Sequence, residues 1–132
     1  MIYVYCYYSV CRGTSFGLTH SNKPVPDRVA DYKAIYSNCT YVDGNLELVF
    51  LNDYVQHDLS FLGDIKEITG YVLIVANYAD LIPLRSLRII RGRTLYEHDK
   101  KYYSLYVTLN YDPDLSKNVG LKELRLTSLQ GS

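Results

Sequence analysis

GNLELVFL, Gly44 to Leu51, is echoed by GYVLIVAN, Gly70 to Asn77, and again by YSLYVTLN, Tyr103 to Asn110. Each run is apolar, rich in strand-forming residues and bounded by turn formers, the composition of a β-strand. Leu46 and Leu48 stand two and four residues after Gly44, just as Val72 and Ile74 stand after Gly70. Period-two geometry therefore puts each pair on one face, the core face. The runs close alike, in FLND, VANY and TLNY, with asparagines at Asn52, Asn77 and Asn110. Asparagine tolerates a left-handed backbone and bonds nearby main-chain groups, which suits a chain turning a corner. Recurring short strands with asparagine corners, separated by unequal segments of about 15–30 residues, predict coils of a parallel solenoid rather than a sandwich of hairpins. The absence of Asn-Gly and Asp-Gly two-residue turns agrees. LRIIRG and LKELRL read as two shorter strands in the same series.

Helix is scarce. The best candidate spans Pro26 to Ser37, where Pro26 and Asp27 suit a first turn and Val29, Tyr32, Ile35 and Tyr36 can share a face. A short turn is expected in DLSFLGDIKEI, capped by Asp58 or Ser60, and DPDLSKNVG, Asp112 to Gly120, reads as a polar loop. The fold class is thus mainly β with short helices.

At 132 residues and 48% hydrophobic, the chain suits one domain with one core. Fourteen basic residues balance 14 acidic ones, which argues against a disordered chain and against a nucleic-acid binder. Fifteen tyrosines and no tryptophan are unusual, and suit half-buried strands and binding surfaces alike. The uncharged stretch Ile2 to Cys11 is half the roughly 20 residues a membrane-spanning helix needs, and no other uncharged run reaches that span, so no membrane insertion is expected. IYVYCYYSVC looks like the apolar part of a secretory signal but lacks a basic leader and a small-residue cleavage site.

Chemistry-bearing motifs are missing. Gly92 in RGRT stands alone, without the glycine pattern of a phosphate loop. His20, His57 and His98 have no companions at metal-ligand spacing, so neither a metal site nor a cofactor is expected. His57-Asp58 and His98-Asp99 would point to opposite faces of a strand and read as solvated loops. Arg85, Arg88, Arg91 and Arg93 form the one basic cluster, read as a polar surface. A carbohydrate-active solenoid enzyme would need carboxylates clustered on one face. Asp27, Asp31, Asp43, Asp53, Asp58 and Asp64 are instead spread among loops and the helix.

With these elements placed, the chain resembles the first L domain of the epidermal growth factor receptor family, including invertebrate members. The resemblance is carried by VCRGTSFGLT (Val10 to Thr19), NCTYVDGNLEL (Asn38 to Leu48), DLSFLGDIKEITGYVLI (Asp58 to Ile74), IPLRSLRIIRGRTLYE (Ile82 to Glu97) and GLKELRLTSLQ (Gly120 to Gln130), in one order. It implies a right-handed parallel β-helix, a leucine-rich-repeat-like receptor L domain over residues 11–132, incomplete at the C-terminus, preceded by a non-native or signal-like stretch at 1–10. It implies an extracellular ligand-binding module of a receptor tyrosine kinase, with no kinase activity in this chain and a receptor dimer partner in the full-length context. The expected partner is an epidermal-growth-factor-like protein. A gene fragment is the first reading of its status, and a secreted decoy for such a ligand is the alternative.

The resemblance also implies specific residues. Cys11 should pair with Cys39, leaving Cys6 over; three free thiols in a reducing compartment are the alternative. Asn38-Cys39-Thr40 fits a glycosylation acceptor, a pattern that also arises by chance. The ligand's strand should lie along RGTSFGLTH by β-augmentation. Ligand-facing positions then fall on Leu18, His20, Phe50, Ala76, Glu97, Thr108 and Leu109. Leu18, Phe50 and Leu109 would form an apolar anchor and Glu97 would meet a basic ligand residue; ordinary core packing is the alternative for the three apolar ones. HDKKYY is a few residues longer than the family spacing, so Thr108 and Leu109 can shift by one.

Overall fold

The computed structural model describes residues 9–14, 18–19 and 21–130. Two parallel sheets carry the fold. The first has the order β1 (Val10–Arg12), β2 (Tyr41–Asp43), β4 (Glu67–Ile68), β6 (Ile89–Ile90), and the second β3 (Leu46–Val49), β5 (Val72–Val75), β9 (Leu105–Thr108). Successive passes of the chain thus add one strand to each sheet. Leu46 pairs with Val72 and Leu48 with Ile74, and all four side chains are fully buried, as the spacing from Gly44 and Gly70 predicts. Val42 and Ile68 complete the core from the first sheet, with Leu62, Ile65, Ile82, Leu84 and Leu87 from the third side of the coil.

Glycine makes the bend between the sheets. Gly44 has φ +136°, and a Cβ on Gly70 would sit 1.7 Å from Asn45 Oδ1, the atom that accepts the Tyr71 amide. A side chain at either position would push the stacked coils apart.

The opposite corner differs from expectation. The left-handed residues are Phe50, Ala76 and Leu109, with φ of 56°, 58° and 57°, and not the asparagines that follow. A left-handed turn removes the backbone acceptor for the next amide, and an asparagine side chain on the adjoining coil replaces it. Asn77 Oδ1 accepts the Leu51 amide at 3.1 Å, and Asn110 Oδ1 accepts the Asn77 amide at 3.0 Å. Asn77 and Asn110 are buried for this purpose, whereas Asn52 is exposed and outside the stack. Leu51 occupies the equivalent place in the first coil because β3 is an edge strand with no earlier amide to satisfy.

Helix α1 runs Val25–Tyr36, one residue earlier at each end than the sequence suggests. Its inward stripe is Arg28, Val29, Tyr32 and Tyr36, while Ile35 is half-buried. These side chains close the edges of both sheets. Tyr36 donates to the Arg12 carbonyl, Tyr32 to the Glu47 carbonyl, and Arg28 to the carbonyls of Val49 and Phe50. An edge strand with its acceptors already occupied is a poor template for stray pairing. Asn38, at φ 62°, ends the helix segment in the left-handed conformation that asparagine accepts. Cys11 and Cys39 are disulfide-bonded, with Cα atoms 5.9 Å apart, fastening β1 beneath the helix. Strand β1 already includes Val10, and the Ser9 carbonyl accepts the Thr40 and Tyr41 amides, so both residues belong to the folded module. Cys6 lies outside the described residues.

Burial pushes the Tyr32 hydroxyl up to about 12 from an ordinary 10.0, and Tyr36 moves the same way for the same reason. Folding favours the neutral phenol, so this stabilisation is complete below pH 10 and is lost as pH rises from 10 towards 12. Urea titrations should show about 2–3 kcal/mol less stability at the top of that window from Tyr32 alone. Tyr32→Phe should flatten the profile; an unchanged slope would contradict the assignment.

Two further elements were not anticipated. Strands β7 (Tyr96–His98) and β8 (Lys101–Tyr103) form an antiparallel hairpin inserted between β6 and β9. Its turn residues, Asp99 and Lys100, both have positive φ, the two-residue geometry that normally recruits glycine. HDKK therefore forms a turn where the sequence suggests a loop. LKELRL forms no strand beyond a single parallel bridge between Leu81 and Glu123, although Leu121, Leu124 and Leu126 pack half-buried on the core. The turn at DLSFLGD is a 3-10 segment, Ser60–Asp64, with Asp58 accepting the Ser60 amide as expected. The polar loop contains another, Leu115–Lys117.

Candidate functional site

The register of the second sheet decides which candidate residues meet. Val49, Val75 and Thr108 align across β3, β5 and β9, and the next residues along, Phe50, Ala76 and Leu109, align at the left-handed corner. Turning left-handed throws those three side chains outward. Phe50 is 54% exposed and Leu109 56%, with Ala76 half-buried between them. The result is a short apolar ridge along one edge of the outer sheet face, flanked by the half-buried Thr108.

Glu97 sits on the hairpin, exposed, opposite Tyr102. Its neighbours Tyr96 and His98 project from the other side of β7 and pack against Tyr106, each with ring centroids 5.3 Å away. Tyr96 also meets Tyr71 at 5.7 Å, and Tyr103 meets Tyr106 at 5.0 Å. The hairpin is thus anchored on the outer sheet face by an aromatic cluster, and holds Glu97 beside that sheet. Leu73, beneath these rings, is only 6% exposed.

Two expected residues stand apart. Leu18 is 9% exposed and packs in the core, so it is no solvent-facing anchor. An apolar side chain in the segment between β1 and α1 gains more by burial than by exposure. His20 lies outside the described residues. The first strand edge is also partly occupied from within: Thr14 donates its amide to the Asn45 carbonyl and accepts the Glu47 amide on its hydroxyl.

A Receptor L domain family model matches residues 38–131. The chain belongs to the receptor L domain family. It is 42% identical over 122 residues to the epidermal growth factor receptor of Gallus gallus, covering 91% of this chain and 16% of that protein. It is 44% identical over 124 residues to the receptor tyrosine-protein kinase erbB-4 of Mus musculus, covering 92% of this chain and 9% of that one. Against the receptor tyrosine-protein kinase erbB-2 of Rattus norvegicus it is 40% identical over 130 residues, covering 91% and 10%. This L domain therefore spans less than a fifth of the length of these curated relatives.

The aromatic cluster is what residue-by-residue matching missed in this L domain. Tyr71, Tyr96, Tyr103 and Tyr106 come from three separate segments, and only the abundance of tyrosine hinted at them. Tyr71 also donates to Glu47 Oε1 at 2.9 Å, and burial together with that bond holds its hydroxyl well above the usual phenol range. It stays a protonated donor. Among the described residues no group of acidic, histidine or cysteine side chains could hold a metal ion, and no helix is long and apolar enough to cross a membrane.

Proposed function

We propose that this L domain is part of the extracellular ligand-binding region of an epidermal-growth-factor-receptor-like receptor tyrosine kinase, and that it takes an epidermal-growth-factor-like peptide on the outer face of its β3–β5–β9 sheet. The observation that carries this reading is the row Phe50, Ala76 and Leu109, aligned and turned outward by three consecutive left-handed corners. Exposed apolar groups on a rigid sheet cost little to pre-organise and suit a partner's apolar anchor. Glu97 on the adjoining hairpin would add a charge that orients a basic residue. Parallel strand-to-strand connections are overwhelmingly right-handed, so the coils are read as a right-handed β-helix. The disulfide fits an oxidising compartment, and the exposed Asn38 is read as a glycan acceptor there.

A double variant, Phe50→Asp with Leu109→Asp, tests the reading. Both side chains are exposed, so the melting curve should stay within a few degrees of the parent. Binding to immobilised epidermal-growth-factor-like peptides in surface plasmon resonance should fall at least 100-fold, as expected for losing two hot-spot anchors. Binding equal to the parent would reject this face. Leu18→Asp belongs to a different class, since charging a core position should unfold the chain.

A further inference from the structure

Glu47 lies on the same outer face, in register with Leu73 and Tyr106, and is only 8% exposed. Among the described residues no lysine, arginine or histidine is within ion-pair distance of its carboxylate. Arg28, the buried cation on helix α1, turns its two terminal nitrogens to the carbonyls of Val49 and Phe50, and its Nε has no hydrogen-bond partner among the described residues. A carboxylate withdrawn from water without a counter-charge is expensive, and one neutral hydroxyl, from Tyr71, is a small compensation. Tyr71 leads directly into the chain of rings formed with Tyr96 and Tyr106, each of them half-buried at the surface. Aromatic faces beside a carboxylate are the chemistry that recognises guanidinium and ammonium groups.

We propose that Glu47, bonded to Tyr71 at the head of the ring chain that continues through Tyr96 to Tyr106, receives an arginine or lysine side chain of the peptide ligand. This rests on reading the sheet face as the ligand platform, and it adds a second basic-residue contact, at the middle of the sheet, to the exposed one at Glu97. The ligand's cation supplies the charge the fold leaves out, while the rings exclude water around it. Bound there, a basic side chain would fix the register of the peptide across the strands.

The test uses acetyl-arginine amide and its neutral isostere acetyl-citrulline amide, titrated into the full chain and followed by NMR of side-chain resonances. Acetyl-arginine amide should shift the ring signals of Tyr71, Tyr96 and Tyr106 and the methylene signals of Glu47 saturably. The citrulline probe should act at least fivefold more weakly. Glu47→Gln, which keeps an acceptor for Tyr71, should cut the arginine response at least fivefold. No shift at these residues, or equal responses to the two probes, would overturn the proposal, and that comparison needs no variant. Neither probe carries a growth-factor surface. A positive result alongside intact peptide binding in the Phe50 and Leu109 double variant would therefore leave the cation site standing while the ridge reading fell.

Discussion

Asn77→Ala should cost about 3–5 kcal/mol, the largest effect expected of any single polar substitution in this L domain. The Asn77 amide donates to the Leu48 carbonyl at 2.8 Å and to Asn110 Oδ1 at 2.9 Å, while its oxygen accepts the Leu51 amide at 3.1 Å. All of these groups are buried, so alanine would strip the Leu51 amide of its acceptor and the Leu48 carbonyl of the Asn77 donor, while Asn110 Oδ1 would keep only the backbone amide of residue 77. The left-handed corners at Phe50 and Ala76 depend on this arrangement, because the Leu51 amide has no other acceptor once the chain has turned. Asn52→Ala is the matched control. It removes an exposed asparagine from the same sequence motif and should change stability by less than about 0.5 kcal/mol. Urea unfolding of the two variants gives the answer directly, and equal losses would show that the buried stack is not what holds the corner.

Removing the disulfide should rank next. Cys11 and Cys39 are 28 positions apart, and closing a loop of that length restricts the unfolded chain by about 3–4 kcal/mol in the chain-entropy model. The double variant Cys11→Ala with Cys39→Ala is the right comparison, because a single replacement would leave a thiol free to pair with Cys6. Denaturant midpoints should fall accordingly, with the steepest loss of amide protection in β1 and the end of α1, the two segments the bond joins. A double variant as stable as the parent would mean that strand pairing alone fastens the first segment.

The core is legible in the sequence because it depends on local periodicity. Leu46, Leu48, Val72 and Ile74 repeat their spacing from a glycine, and period two admits one inward face for each pair. The helix was legible too, within a residue, from proline placement and an aromatic stripe. Family resemblance named the cysteine pair, and the sulfur bond joins those residues. The asparagine motif misled in one respect. Three runs share it, yet Asn52 falls outside the stack, because whether the residue must be asparagine depends on a neighbouring coil existing on that side. The hairpin at Tyr96 to Tyr103 carries no turn signal in the sequence because Asp99 and Lys100 adopt positive φ without a glycine. Leu18 is buried rather than solvent-facing, since exposure of a lone apolar residue follows from packing, which its neighbours in sequence do not report.

Strand positions, the parallel stacking and membership of the receptor L domain family are written in short-range pattern and in motif order, both of which a linear chain carries whole. Which residues come together at the surface is another matter. Phe50, Ala76 and Leu109 become one ridge, and Glu47 becomes a buried charge beside a tyrosine cluster, only when separate coils are brought into register. Those properties belong to distances between segments far apart in the chain, and folding alone sets such distances.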